Sequence, residues 1–185
     1  PGSGEKDGFP GSPRLVSRRF LGPLGKRRHS CFAWRGSYNL AMTVDDVLAQ
    51  LESLGDDARR AHNTKAGAPD NQFGVKLGDI RAIAKKIKSD HELALQLWAT
   101  GNVEAQLLAT LIVKPKSLTA GELDTLTRST TCAQVADWLN SYVVAQHPDK
   151  DALREKWMTA KDRWSSRAGW HFTASRVNKG EGGLD

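Results

Sequence analysis

The chain has only two cysteines among its 185 residues. Cys31 and Cys132 stand far apart and at no metal-ligand spacing, which excludes a disulfide framework and a thiolate zinc site and fits a reducing compartment. Nor do His, Asp and Glu cluster at ligand spacing, so neither a metal nor a cofactor is expected. No apolar run is long enough to cross a bilayer or to form a secretory leader, so no membrane partner is expected. From Met42 onward no stretch alternates apolar and polar residues as a half-buried strand does. That region also lacks an excess of charge of either sign: it carries 19 basic and 19 acidic residues.

The net charge of +6 therefore belongs to residues 1–41. There Lys6, Arg14, Arg18, Arg19, Lys26, Arg27, Arg28 and Arg35 face only Glu5 and Asp7. A basic balance confined to that stretch says nothing about what the patterned part binds; any basic surface there has to come from uneven placement. Residues 1–41 also hold seven of the 17 glycines and four of the seven prolines, with no sustained period. They read as a disordered basic tail, or as upstream sequence before a start at Met42. Their Arg- and Ser-rich, acid-poor make-up weakly resembles an organellar transit peptide.

What the remainder does have is helical periodicity. Thr43 with Asp45 and Asp46 marks a helix start, Val44, Val47, Leu48, Leu51 and Leu54 mark one face, and Gly55 marks the end. A second short helix is expected over 57–65. The stretch Ala66-Gly-Ala-Pro-Asp-Asn-Gln-Phe-Gly74 reads as a loop. Further helices are expected at 77–88, 90–100, 103–113, 119–127, 131–146, 149–160 and 161–177, with breaks at Gly101-Asn102, Pro115 and Pro148. Helices of this length on short connections predict an all-α fold, an α-solenoid of antiparallel pairs of HEAT-like type over residues 42–185.

Two of these helices carry chemistry. In the first, Cys132, Val135, Ala136, Leu139, Tyr142 and Val143 form an apolar stripe, and Asp137 points almost directly away from it. Thr130, Ala133, Gln134 and Ser141 share its face, and no Lys or Arg stands one turn away to pair with it. An ordinary solvated helix face carries several charges, whereas this one carries a lone acid. Trp138 lies on the flank, where it can close the seam between helices. In the last helix Trp164, Arg167 and Trp170 sit three residues apart, so Arg167 can stack on either ring. Lys161 and Arg163 add charge at its start. Trp164, Ala168, His171, Phe172 and Ser175 form the expected buried stripe, which makes Trp164 a core residue and His171 a packed one. Trp170 and Arg167 lie off it. Asp137 and Arg167 are 30 residues apart, about one helix–turn–helix repeat, so they can share one concave surface. A carboxylate, a guanidinium and indoles together suit a flat cationic base beside phosphates.

Several segments, in this order, carry a resemblance: Phe73-Gly-Val-Lys-Leu-Gly-Asp-Ile-Arg-Ala-Ile-Ala-Lys85, His91-Glu-Leu-Ala-Leu-Gln-Leu-Trp98, Asn102-Val-Glu-Ala-Gln-Leu-Leu-Ala-Thr110, the segment ending Val135-Ala-Asp137, and Trp164-Ser-Ser-Arg-Ala-Gly-Trp170. The match is collinear over residues 43–177 and resembles the AlkD-type DNA alkylation repair family, HEAT-like DNA glycosylases. The resemblance implies that Asp137 is the catalytic aspartate and Arg167 a DNA-contacting arginine. It also implies a lesion trapped against the surface without a deep pocket. The family pattern has a tryptophan four residues before the aspartate; here that position is Ala133. A further functional tryptophan lies in a later repeat of the family, whereas this sequence closes on Gly180-Glu-Gly-Gly-Leu-Asp185, an apparent inter-helix loop. The expectation is a chain that lacks the closing repeats.

The implied chemistry needs little machinery. A purine alkylated at N3 or N7 is cationic and already a good leaving group, so no strong general acid is required. The transition state has oxocarbenium character at C1′, and one ionised carboxylate can stabilise it and orient water. Asp137 is expected to face the groove near Arg167 without a tight ion pair to it. The expected partner is double-stranded DNA carrying alkylated bases, bound by a monomer through Arg167, Trp170, Trp164, Trp138, Lys161 and Arg163. The expected location is a bacterial cytoplasm, at the nucleoid, unless residues 1–41 direct the chain to an organelle. The alternative is a non-catalytic helical-repeat scaffold that binds DNA or protein, since fold does not fix function.

Overall fold

A computed structural model of the protein describes residues 42–181. The readings of residues 1–41 as a tail and of 182–185 as the end of a loop lie outside the described residues. Within them the chain forms nine α-helices and two 3-10 turns, with no strand. The helices are α1 (Val44–Ser53), α2 (Asp57–Lys65), α3 (Leu77–Ile87), α4 (His91–Ala99), α5 (Val103–Ile112), α6 (Ala120–Arg128), α7 (Ala133–Tyr142), α8 (Lys150–Met158) and α9 (Arg163–Asn178).

Most helix starts are written in the sequence as caps. Thr43 with Asp46 and Thr119 with Glu122 form capping boxes for α1 and α6. Asp56, Asp90, Asn102 and Asp162 cap α2, α4, α5 and α9 through their side chains. Each such cap satisfies backbone N–H groups that the first turn leaves without partners.

Helix α5 is the centre of the fold. Every residue from Val103 to Thr110 is buried, so the helix is enclosed on all sides rather than on one stripe. In one row α3 packs on α5, α5 on α7, and α7 on α9. Against this row lie α4, on α5, and both α6 and α8, on α9. The short links between α4 and α5 and between α8 and α9 make these pairs antiparallel.

Buried polar groups on α5 fix its neighbours. Glu104 is 2% exposed and accepts the backbone N–H groups of Phe73, Gly74 and Val75 at 2.9, 2.7 and 3.2 Å. Three donors on one carboxylate replace the water it has lost, and they hold the strand of loop that leads into α3. Gly74 lies at φ 79°, and a Cβ there would sit 2.4 Å from the Asp56 carbonyl oxygen. Gln106 donates to the carbonyls of Trp98 and Ser129 and accepts from Thr131 Oγ1 at 2.6 Å. This ties α5 to the segment that starts α7.

One predicted boundary differs by more than two residues. The helix expected over 131–146 stops at Tyr142 and continues as a 3-10 turn, Val144–Gln146. The chain tightens where Val143 and Val144 are both fully buried; 3-10 turns are common at α-helix ends. A second 3-10 turn, Pro115–Ser117, fills the break expected at Pro115.

Candidate functional site

The exposed face of the α3–α5–α7–α9 row carries the residues of interest. On α7 the apolar stripe behaves as its spacing predicts: Cys132, Val135, Ala136, Leu139 and Val143 are buried and Tyr142 is half-buried. Asp137 is half-buried on the other side, beside exposed Ala133, Gln134 and Ser141. Thr130, expected on this face, is buried instead; it precedes the helix, and its hydroxyl donates to the Leu126 carbonyl.

Asp137 and Arg167 meet across the α7–α9 contact. Arg167 Nη2 and Nε donate to Asp137 Oδ1 at 2.9 and 3.3 Å. The expectation that the two would stand near each other without a tight pair is therefore corrected. The geometry is one-sided: both N–H groups reach Oδ1, and Oδ2 has no partner among the described residues. Both side chains are about half exposed, 47% and 49%. A pair this open contributes roughly 0–1 kcal/mol, and a phosphate can compete for the guanidinium.

Helix α9 packs differently from its expected stripe. Its buried residues are Ser165, Ala168, Gly169 and Thr173. The reason is the closeness of α8: a Cβ on Gly169 would lie 2.6 Å from the Met158 backbone nitrogen, so only small residues fit. Trp164 is consequently half-buried rather than core, and His171 is exposed rather than packed. The guanidinium that stacks on an indole is that of Arg163, 4.6 Å from the centroid of Trp164, whereas Arg167 turns to Asp137. Trp170 is 52% exposed, one turn along from Arg167. Lys161 is exposed just before the helix.

Trp138 packs partly against the core, edge-on to Tyr142 with centroids 5.4 Å apart. Its outer face is covered by a residue that the sequence reading did not single out. The Arg81 guanidinium of α3 lies 4.9 Å from the ring centroid. Lys85 and Lys88 follow Arg81 on the same helix and are exposed. The signal was present in Arg81-Ala-Ile-Ala-Lys85-Lys-Ile-Lys88, where basic residues recur at i, i+4 and i+7. Thus a folded part with no net charge presents a cationic face through uneven placement. Asp137 is neutralised on that face, and Glu104 is buried away from it. No three His, Cys, Asp or Glu side chains come together among the described residues. No described helix is long and apolar enough to cross a membrane.

A half-exposed carboxylate paired with one guanidinium, and an exposed indole one turn along α9, lie on the open surface of an all-helical repeat rather than in a buried pocket. The sequence of residues 47–184 matches the model of the DNA alkylation repair enzyme family. The chain belongs to that family. It is similar to an uncharacterized protein of Listeria innocua, 24% identical over 143 residues, which cover 74% of this chain and 63% of the relative. An uncharacterized protein of Listeria monocytogenes is 23% identical over the same lengths. A solved structure is similar at 30% identity with a TM-score of 0.64, covering 70% of this chain and 55% of its own. It is described as a new family of proteins related to the HEAT-like repeat DNA glycosylases with affinity for branched DNA structures. The fold is thus of the HEAT-like repeat kind. The match spans somewhat under two thirds of the length of these relatives.

Proposed function

We propose that this chain binds duplex DNA across the α3–α7–α9 face and releases cationic N3- or N7-alkylated purines. The observation that carries the reading is the Asp137 carboxylate: it is the lone acid on an otherwise uncharged helix face, and one of its oxygens is free. In the proposed reaction Arg167 exchanges Oδ1 for a backbone phosphate. The C1′–N bond of the charged purine breaks with its electron pair leaving on the base. Asp137 then faces the sugar cation, whose charge it stabilises, and a water that it orients adds to C1′ and loses a proton. The products are the neutral base and an abasic sugar. Trp170 supplies an exposed ring against which an unstacked base can lie. Trp138, Trp164, Lys161 and Arg163 complete the contact face in this reading.

A second reading has a specific observation behind it. Ala133, on the same face as Asp137, provides no ring for the lesion, and Asp137 is paired in the free protein. Both fit a non-catalytic DNA binder, and the similar solved structure is described as having affinity for branched DNA structures. The experiment that separates them compares release of methylpurine from methylated duplex DNA with binding to unmodified linear and branched DNA. Release dependent on the protein supports the first reading. Binding without release, and no gain of release in Ala133→Trp, supports the second.

A further inference from the structure

Beyond the Asp137–Arg167 pair, one cluster on the same face has no role in the proposed reaction. Arg81, Lys85 and Lys88 rise from α3 at i, i+4 and i+7 and rim an open groove of about 500 Å³ whose floor is Ala84, Leu111 and Tyr142. None of the three forms an ion pair with a described acid, as is true of most described cations; what sets them apart is that they share one groove. Arg81 spends its guanidinium on the face of Trp138 instead. The helix dipole accounts for cations in the last turn of α3, but not for Arg81 nearly two turns earlier.

Lys88 adds an independent observation. It ends α3 at φ 69°, and among the described residues it is the sole non-glycine with positive φ. Its ψ of −94° takes it outside the usual left-handed helix cap, and glycine is the residue that adopts positive φ without strain. A lysine held there costs on the order of 1 kcal/mol or more, and such strain concentrates at functional positions. Its side chain is delivered to the rim of the groove.

We propose that Arg81, Lys85 and Lys88 form a second phosphodiester-binding track, which seats a stretch of nucleic-acid backbone on α3 apart from the Arg167 contact. Seven residues of helix rise about 10 Å, and successive phosphates of one strand lie roughly twice as far apart as the 3.4 Å rise per nucleotide along the axis. The track therefore reaches about two to three phosphates, with the apolar floor beneath the sugars. The proposal rests on the DNA-binding reading above and extends it from the contacts on α9 to a defined path on α3.

The test is a salt titration of duplex binding by the full chain, its Arg81→Gln/Lys85→Gln/Lys88→Gln variant, and two controls. One control keeps the charge (Arg81→Lys/Lys85→Arg/Lys88→Arg). The other removes three exposed charges elsewhere (Lys65→Gln/Lys114→Gln/Lys116→Gln). The expected result is a log–log salt slope shallower by about two to three units in the Gln triple alone, with helix content and melting unchanged. A slope equal to the parent's, or an equal loss in the Lys65/Lys114/Lys116 variant, overturns the track while leaving the DNA reading intact. A parent chain without salt-dependent duplex binding overturns both.

Discussion

Arg167 holds Asp137 by one oxygen only: Nη2 at 2.9 Å and Nε at 3.3 Å both point to Oδ1. The pair spans α7 and α9 and keeps the carboxylate at the surface with its other oxygen open. Its strength is that of a solvent-screened surface contact, so it positions the acid without committing it. The proposed DNA contact replaces one partner of Arg167 with another and leaves Asp137 where the row of helices put it.

Arg167→Ala removes one phosphate contact in this account. Affinity for DNA of many sequences falls alike, and the salt slope drops by roughly one counterion unit. Stability changes by less than about 1 kcal/mol, because the pair is half-exposed. Binding isotherms at several salt concentrations check this. An unchanged slope would show that the guanidinium serves Asp137 alone.

Gly169→Ala tests the close approach of α8 and α9. In an open helix this exchange stabilises by about 1 kcal/mol. Here the new Cβ meets Met158 N at 2.6 Å and Trp157 C at 2.8 Å, both backbone atoms, so the helices have to part. The expected outcome is destabilisation by about 1–3 kcal/mol, read from denaturant unfolding. A stabilised variant would place α9 farther from α8 than described.

The acid limb of stability should report on Asp124. Burial raises its pKa, but the hydrogen bond from Trp157 Nε1 and those from Arg128 and Lys156 outweigh it, and the carboxyl is held below its ordinary value of 3.8. A carboxylate with a lowered folded pKa contributes stability that is complete above the unfolded value and disappears as pH falls through the folded one. Unfolding free energies of the parent and Asp124→Asn should therefore differ most above about pH 5 and converge below pH 4. A difference independent of pH would mean that the Trp157 contact, not the charge, is what counts.

The fold was legible because its signals are local. The start signal at Thr43 with Asp45 and Asp46 and breaks such as Gly101-Asn102 and Pro115 placed the helices, and the α7 stripe from Cys132 to Val143 separated Asp137 from the core. What escaped depended on distance between helices. Nothing in the order of residues says that α8 runs close enough to α9 to exclude Trp164 from the interior, and with that stripe misplaced His171 was misplaced too. The Asp137–Arg167 pair and the Arg81–Trp138 contact join residues 30 and 57 positions apart. Spacing on one helix could suggest that each faced outward but not that they touched. The basic recurrence at Arg81, Lys85 and Lys88 is readable in the sequence, but spacing alone does not separate a binding track from an ordinary solvated face.

The central claim is that the charge on Asp137 stabilises a sugar cation. Asp137→Asn keeps the size of the side chain and removes the charge, and the residue lies outside the apolar stripe, so folding and DNA affinity should be preserved. Single-turnover release of methylpurine from methylated duplex DNA, parent against variant, tests the claim most directly. The account predicts a rate lower by about 10²–10³-fold in Asp137→Asn, with binding intact. Equal rates for the two proteins would contradict it.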